Sequence, residues 1–114
     1  MSYTINPTKT FLVEAKKLKK RYHSLEADLE AFKTELEKNP FQGSELCPGI
    51  RKIRMAITSK GRGKSGSARV ITATAITAEH EGHIALLTNY DKEDASTVKL
   101  NVVRQMAREL GFTV

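Results

Sequence analysis

The spacing of apolar residues changes along this chain from that of helices to that of strands, and this change limits the folds open to it. In the first 40 residues, two sets of four apolar residues recur at i, i+4, i+7 and i+11, the spacing of one helix face. These sets are Phe11, Ala15, Leu18 and Tyr22, and then Leu25, Leu29, Phe32 and Leu36. Ser24 can cap the second helix, and Asn39-Pro40 ends it. We therefore predict two helices joined by a short turn, which form an antiparallel hairpin.

Strand patterns occupy most of the second half of the sequence. Within residues 50–57, apolar residues alternate with Lys52 and Arg54, so one face of this strand is apolar and the other is basic. Ala68–Ala78 is rich in Val, Ile, Thr and Ala, which suits a buried central strand, and a further strand ends at Asn89-Tyr90. The short turns between these strands predict antiparallel pairing.

The remaining segments complete the predicted fold. Ser2–Ile5 is a short edge strand, Asn6-Pro7 begins the first helix, Phe41–Gly49 is a loop, and a last helix runs from about Ser96 to Gly111. The whole chain is then one α+β domain, residues 1–114, in which an antiparallel sheet packs on the N-terminal helix hairpin and a C-terminal helix follows. The basic face of the sheet is predicted to stay open to solvent.

The excess positive charge of the chain is concentrated in one segment. The formal net charge is +6, and residues 51–70 carry seven basic side chains and no acidic one. Residues 1–50 carry eight basic and seven acidic side chains, and residues 71–114 carry four and six. A block of this kind predicts a polyanionic partner, either a nucleic acid or an acidic protein. A solvated basic loop without a specific function is the alternative.

The composition excludes several kinds of site. The one cysteine, Cys47, cannot form an internal disulfide or a cysteine-based zinc site. No apolar run is long enough to span a membrane, and the N-terminal residues lack a signal-peptide core. We therefore expect a cytoplasmic protein without a membrane partner, a metal or a small-molecule cofactor.

The glycine-rich part of the basic segment, Ser59–Ser67, admits three interpretations. Gly63-Lys64-Ser65 resembles the end of a phosphate-binding loop, but Thr58 stands where such a loop needs glycine and a strand follows, so nucleotide hydrolysis is rejected. Plain RNA binding needs only cations and a close backbone approach. RNA cleavage needs a 2′-hydroxyl held in line with its own 3′ phosphate, and cations around the transition state, which arginine provides without a metal.

Four segments give the chain a resemblance to a known family. They are Asn39-Pro40 with Gly43, Arg51-Lys-Ile-Arg-Met55, Ser59-Lys-Gly-Arg-Gly-Lys-Ser-Gly-Ser-Ala-Arg-Val70 and Leu86-Leu-Thr-Asn-Tyr-Asp-Lys92. Through them, and over nearly its whole length, the chain resembles the RelE/HigB branch of type II toxins. The resemblance implies the RelE/ParE fold, ribosome-dependent endoribonuclease cleavage of mRNA, and neutralisation by an antitoxin encoded beside the toxin.

The match to this family and the charge of the segment together give two sets of candidate residues. The catalytic candidates are Arg54, Arg69, Lys64, Tyr90 and Lys92. The RNA-binding candidates are Lys52, Lys60, Arg62 and Arg51. In this interpretation Arg54 and Arg69 stabilise the transition state, Tyr90 stacks on a base or orients a phosphate, and Lys92 stabilises the leaving 5′ oxygen. Surface ion pairs and packing at the sheet edge are the alternative accounts of these residues.

The chain departs from the family at Ser67, where the branch often has a second glycine. It also offers no histidine or glutamate at a matched position for the base that some members use. Two other functions fit the sequence. A ParE-like member of the same fold would inhibit DNA gyrase and would not need the cations around Arg54. A non-catalytic RNA-binding module would bind RNA in a salt-dependent way without cleaving it.

Overall fold

The computed structural model describes residues 2–60, 67–94 and 98–114, and within these ranges it contains five strands and three helices. The strands are β1 Ser2–Pro7, β2 Ser44–Cys47, β3 Ile50–Ala56, β4 Ser67–Ala78 and β5 Glu81–Asp91. The helices are α1 Lys9–Arg21, α2 Leu25–Lys38 and α3 Leu100–Glu109, and a 3₁₀ turn, Thr58–Lys60, follows β3. No helix in the described ranges is long and apolar enough to cross a membrane.

The five strands form one sheet in the order β1-β5-β4-β3-β2. The strands from β2 to β5 pair antiparallel, as their short connections predict. β1 lies parallel to β5 and pairs with it over Ser2–Pro7 and Glu81–Leu86. The predicted α+β fold with an N-terminal helix hairpin is confirmed, and the parallel β1 makes the sheet a mixed one.

The hairpin of α1 and α2 covers one face of the sheet. Its buried apolar residues pack on those of β3, β4 and β5 to form the larger core. The helical members are Phe11, Ala15, Leu18, Leu25, Phe32 and Leu36. The strand members are Ile53, Met55, Ala68, Val70, Ile84 and Leu86, and Ile57 follows β3. Both predicted helical stripes therefore face the sheet.

The first helix begins two residues later than the sequence predicts. β1 continues through Pro7, and Thr8 caps α1 by accepting a hydrogen bond of 3.1 Å from the Phe11 N–H. The same hydroxyl donates to the carbonyl oxygens of Leu86 and Leu87, at 2.9 and 3.1 Å. The predicted start at Asn6-Pro7 is wrong because pairing with β5 holds these residues in an extended conformation.

α3 and the residues after it cover part of the face that the sequence predicts to be open. The buried residues of α3, Val103 and Ala107, belong to a second core with Ile71 and Leu87 of the sheet. α3 begins at Leu100, after the non-helical Val98 and Lys99, and it ends before Gly111, which has a positive φ of 94°. Ser96, where the sequence predicts the start, lies outside the described residues. The prediction of an open face is corrected, since the apolar side of an amphipathic helix packs on the nearest apolar surface.

β2 lies where the sequence predicts a loop. The predicted loop Phe41–Gly49 is wrong over Ser44–Cys47, which pair antiparallel with β3 and place Ser44 opposite Lys52. None of the four residues of β2 is buried, so they carry no apolar alternation that could indicate a strand. Pairing with β3 determines their conformation.

Gly43, just before β2, allows a close approach to β3 that a side chain would block. Its φ is +78°, and a methyl group on it would lie 2.2 Å from the carbonyl oxygen of Lys52. Gly111 also has a positive φ, but a methyl group there would meet nothing within 4 Å. We expect Gly43→Ala to lower the free energy of unfolding by about 3 kcal/mol and Gly111→Ala by about 1–2 kcal/mol. Urea unfolding of both variants measures the difference, and equal losses would contradict this account of Gly43.

Candidate functional site

Three adjacent strands place Arg54, Arg69 and Tyr90 side by side. Arg54 on β3 pairs with Arg69 on β4, and Arg69 pairs in turn with Tyr90 on β5. The Cβ atoms of residues that are directly opposite in neighbouring strands lie about 4.5–5.5 Å apart. We call these three residues the cross-strand row.

The two arginines of the row lie on the α3 face of the sheet. Their neighbours along β3 and β4 belong to the core under α1 and α2. Because successive side chains of a strand point to opposite faces, Arg54 and Arg69 lie on the other side. Lys52 lies two residues before Arg54 and therefore shares this face.

A β-bulge in β5 brings Tyr90 to the same face. Ile84 and Leu86 pack under the helix hairpin, and uninterrupted alternation would place Tyr90 with them. Consecutive residues of β4 pair with Leu86 and Thr88, however, so the ladder passes over Leu87. This extra residue reverses the alternation, and Tyr90 packs against the core on the α3 side.

The cations of this face have no acidic partners among the residues that the structure describes. Ion pairs occur elsewhere in these ranges, but none includes Lys52, Arg54 or Arg69. Arg54 is exposed, whereas Arg69 is only 9% exposed. Like charges on directly opposite residues of neighbouring strands are destabilising, and a bound anion would offset this cost.

Ser67 holds the guanidinium of Arg69. Arg69 Nη1 donates to Ser67 Oγ at 2.6 Å and to the carbonyl oxygen of Ala68 at 3.3 Å. The sequence marks Ser67 only as a departure from the family pattern. Its position two residues before Arg69 on one strand, and thus on the same face, is the signal that could have identified it.

The hydroxyl of Tyr90 is buried and has no hydrogen-bond partner among the described residues. Burial raises the pKa of Tyr90, although the nearby charge of Arg69 acts in the opposite direction. At neutral pH the phenol therefore keeps its proton and can donate a hydrogen bond. A buried polar group without a partner costs stability and needs an explanation, which a ligand that accepts this proton would supply.

The other predicted catalytic residues lie beside the row or outside the described part of the chain. Lys92 is half-buried in the turn after β5, and its backbone N–H donates to the carbonyl oxygen of Ser67 at 3.3 Å. The turn therefore lies next to the start of β4. Arg62 and Lys64 lie outside the residues that the structure describes.

Two predicted RNA-binding residues lie away from the row. The Nζ of Lys60 is 2.7 Å from Oδ1 of Asp91, and the Lys60 side chain is 6% exposed. Arg51 alternates with Lys52, donates to the carbonyl oxygen of Phe41 at 2.9 Å, and thus lies on the helix side of β3. The structure brings neither charge to the cross-strand row.

A mixed five-stranded sheet carries a helix hairpin on one face and a C-terminal helix on the other, which defines an α+β fold. A solved structure of the Escherichia coli toxin RelE, a double arginine-to-alanine mutant in the free state, matches 98% of this chain and 100% of its own chain. The TM-score is 0.58 and the sequence identity 16%, so the likeness establishes the fold. No family model and no curated protein matches the sequence. The predicted RelE/ParE-like fold is confirmed.

Removal of the Tyr90 hydroxyl should not destabilise the protein. Tyr90→Phe deletes an unpartnered polar group, so the free energy of unfolding should stay the same or rise by up to about 1 kcal/mol. Tyr22→Phe is the matched control, because the Tyr22 hydroxyl donates to the buried carboxylate of Asp91, and its loss should cost about 1.5–3 kcal/mol. Urea unfolding distinguishes the two. A loss above 1 kcal/mol in Tyr90→Phe would indicate that this hydroxyl has a partner in the folded protein.

Proposed function

We propose that this chain is the toxin of a type II toxin–antitoxin pair and cleaves mRNA on the ribosome. The observation that carries the proposal is the cross-strand row: two arginines without acidic partners in the described ranges, next to a buried phenol that can donate a hydrogen bond. The fold supports the class, since the solved structure that it matches is that of a toxin.

The chemistry of the row suits the cleavage of a phosphodiester by its own 2′-hydroxyl. Each guanidinium can donate two parallel hydrogen bonds to phosphate oxygens, and Arg69 is already oriented by Ser67. Arg54 and Arg69 would thus hold the scissile phosphate and stabilise the negative charge that grows on it in the transition state. The products would be a 2′,3′-cyclic phosphate and a 5′-hydroxyl.

The remaining residues have supporting roles in this proposal. Tyr90 donates a hydrogen bond to the phosphate or stacks on a base, and Lys92 stabilises the leaving 5′ oxygen. Lys52 binds a flanking phosphate from its place two residues along β3. Lys64 and Arg62 remain in the proposal as catalytic and RNA-binding residues respectively, on the resemblance and their charge. We leave Lys60 and Arg51 out because their charges are engaged away from the row.

We further propose that the partners are the ribosome, mRNA and an antitoxin, all in the cytoplasm. An antitoxin that neutralises this site needs an acidic segment, because the exposed charge around the row is positive. The cations provide the charge stabilisation in this reaction, so the mechanism does not depend on a metal ion or another cofactor.

Substitution of both arginines should abolish the activity and preserve the fold. We expect Arg54→Ala with Arg69→Ala to lower the rate of mRNA cleavage by more than about a hundredfold and to relieve growth arrest on expression. Lys33→Ala with Lys38→Ala is the matched control, because it also removes two positive charges, but from a partly exposed and an exposed position on α2. Mapping of 2′,3′-cyclic phosphate ends on mRNA in programmed ribosomes measures the cleavage.

Three outcomes would count against the proposal. A fully toxic double variant would show that the row is not the site. Growth arrest with DNA damage, and with translation intact, would indicate a ParE-like gyrase inhibitor. RNA binding that weakens with salt but never leads to strand cleavage would indicate a binding module.

A further inference from the structure

Among the residues that the structure describes, no β-strand pairs with the outer side of the part of β5 that carries Tyr90. β1 pairs with β5 only as far as Pro7 opposite Leu86, and the chain then turns into α1. Leu87–Asp91 therefore extends beyond the end of β1. A strand held on one side only has more freedom than a central one, so other contacts must hold this part of β5 if Tyr90 is to stay beside Arg69.

A side chain and a backbone carbonyl of α1 form hydrogen bonds with this part of β5. The Glu14 carboxylate accepts hydrogen bonds from the Thr88 hydroxyl at 2.6 Å and from the Asn89 backbone N–H at 3.1 Å. The Asn89 side chain donates to the Phe11 carbonyl oxygen at 3.0 Å. The bond to the Asn89 N–H satisfies a backbone donor that a neighbouring strand would otherwise pair, and the other two bonds join side chains of β5 to α1.

Asp91, the last residue of β5, has more hydrogen-bond and ion-pair partners than Thr88 or Asn89. Its side chain is fully buried, and its carboxylate accepts hydrogen bonds from Lys60 Nζ at 2.7 Å, from the Tyr22 hydroxyl and from the Glu93 backbone N–H at 3.0 Å. The guanidinium of Arg21 lies 3.2 Å from the same carboxylate. Four donors from three separate segments thus converge on one buried anion.

Lys60 and Asp91 form a buried ion pair, and both members stay charged near neutral pH. Burial alone would raise the pKa of the Asp91 carboxyl, but the hydrogen bonds from Lys60, Tyr22 and Glu93 outweigh it, and the pKa lies below its ordinary value. Burial opposes the charge of Lys60 as well, yet its bond to Asp91 raises the pKa of the ammonium above its ordinary value. Removing Asp91 alone would leave the buried ammonium of Lys60 with the exposed Glu93 carboxylate, 3.6 Å away, as its anionic partner, which is destabilising.

We propose that the buried Lys60–Asp91 ion pair is a positioning element for Tyr90. Tyr90 and Asp91 are consecutive in β5 and lie on opposite faces, so the orientation of one side chain determines that of the other. The pair joins the turn after β3 to the end of β5, and so aligns the two strands that carry Arg54 and Tyr90 on either side of Arg69. Its role in catalysis rests on the proposed RNA cleavage.

Replacement of both charges tests this proposal. Lys60→Met with Asp91→Asn removes the pair without leaving a buried charge unpaired, and it leaves the net charge unchanged. The control is Lys19→Met with Glu26→Gln, which removes an ion pair of 2.9 Å whose side chains are 57% and 73% exposed. We expect kcat for ribosome-dependent cleavage to fall about ten- to a hundredfold in the first variant, with KM nearly unchanged, because the reacting groups are misaligned while the RNA-binding cations remain. The control should stay within about twofold of the wild-type kcat.

A second measurement does not depend on cleavage. Titration of ¹³C-labelled tyrosine by NMR, with Tyr90→Phe used to assign the signal, gives the pKa of Tyr90. We expect the pKa of Tyr90 to fall toward its ordinary value in the Lys60/Asp91 variant as the ring loses its buried position, and to stay raised in the Lys19/Glu26 control. An unchanged Tyr90 titration together with an unchanged kcat would overturn the positioning role. A wild-type protein that never cleaves RNA would overturn the proposed function alone, since the titration would still decide whether the pair positions Tyr90.

Discussion

The bulge at Leu87 divides β5 into two parts whose side chains alternate in opposite phase. Before it, Ile84 and Leu86 face the helix hairpin; after it, Asp91 does so and Tyr90 faces the α3 side. The position of Tyr90 beside Arg69 and the buried contacts of Asp91 both depend on this one extra residue. Tyr90 joins Arg69 only because the alternation is reversed, and Asp91 reaches the donors of α1 and the 3₁₀ turn for the same reason.

Positively charged side chains have different partners on the two faces of the sheet. On the helix side Lys60 is buried, and burial is tolerated because Asp91 neutralises its charge at hydrogen-bond distance. On the α3 side Arg54 is exposed, and the buried Arg69 has neutral acceptors and no anion among the described residues. An arginine in that setting lacks the compensation that Lys60 has. Local arrangements that cost stability in this way are concentrated at functional sites.

The sequence predicts those parts of the fold in which periodicity is strong. The stripes from Phe11 and Leu25 and the strand before Arg54 all lie on the faces that their spacing predicts, since burial imposes the period. β2 escapes prediction because none of its residues is buried. The predicted start of α1 is wrong because pairing with β5 extends β1 through Pro7.

The candidate site, too, is predicted from the sequence only where residue spacing indicates which face a side chain lies on. Its charged residues are apparent in the sequence, but the sequence cannot sort them by face. Arg54 and Lys52 are assigned to one face by simple alternation. Lys60 follows β3 in a 3₁₀ turn, and its partner Asp91 lies 31 positions further along the chain, so neither periodicity nor spacing indicates the pair. Tyr90 depends on a bulge that no residue pattern near Leu87 indicates.

The pairing of β1 with β5 affects when the protein can fold during its synthesis. Thr8 and Leu86, which are joined across the β1–β5 boundary, are 78 positions apart in the sequence. Contacts between residues this far apart form slowly, because a long loop must close before they can form. A nascent chain that has not yet reached β5 has two of the three strands of the cross-strand row and lacks the strand that completes the sheet under α1. Synthesis must therefore pass Asp91 before the arginines and the phenol can meet, and a product truncated before β5 has no such surface.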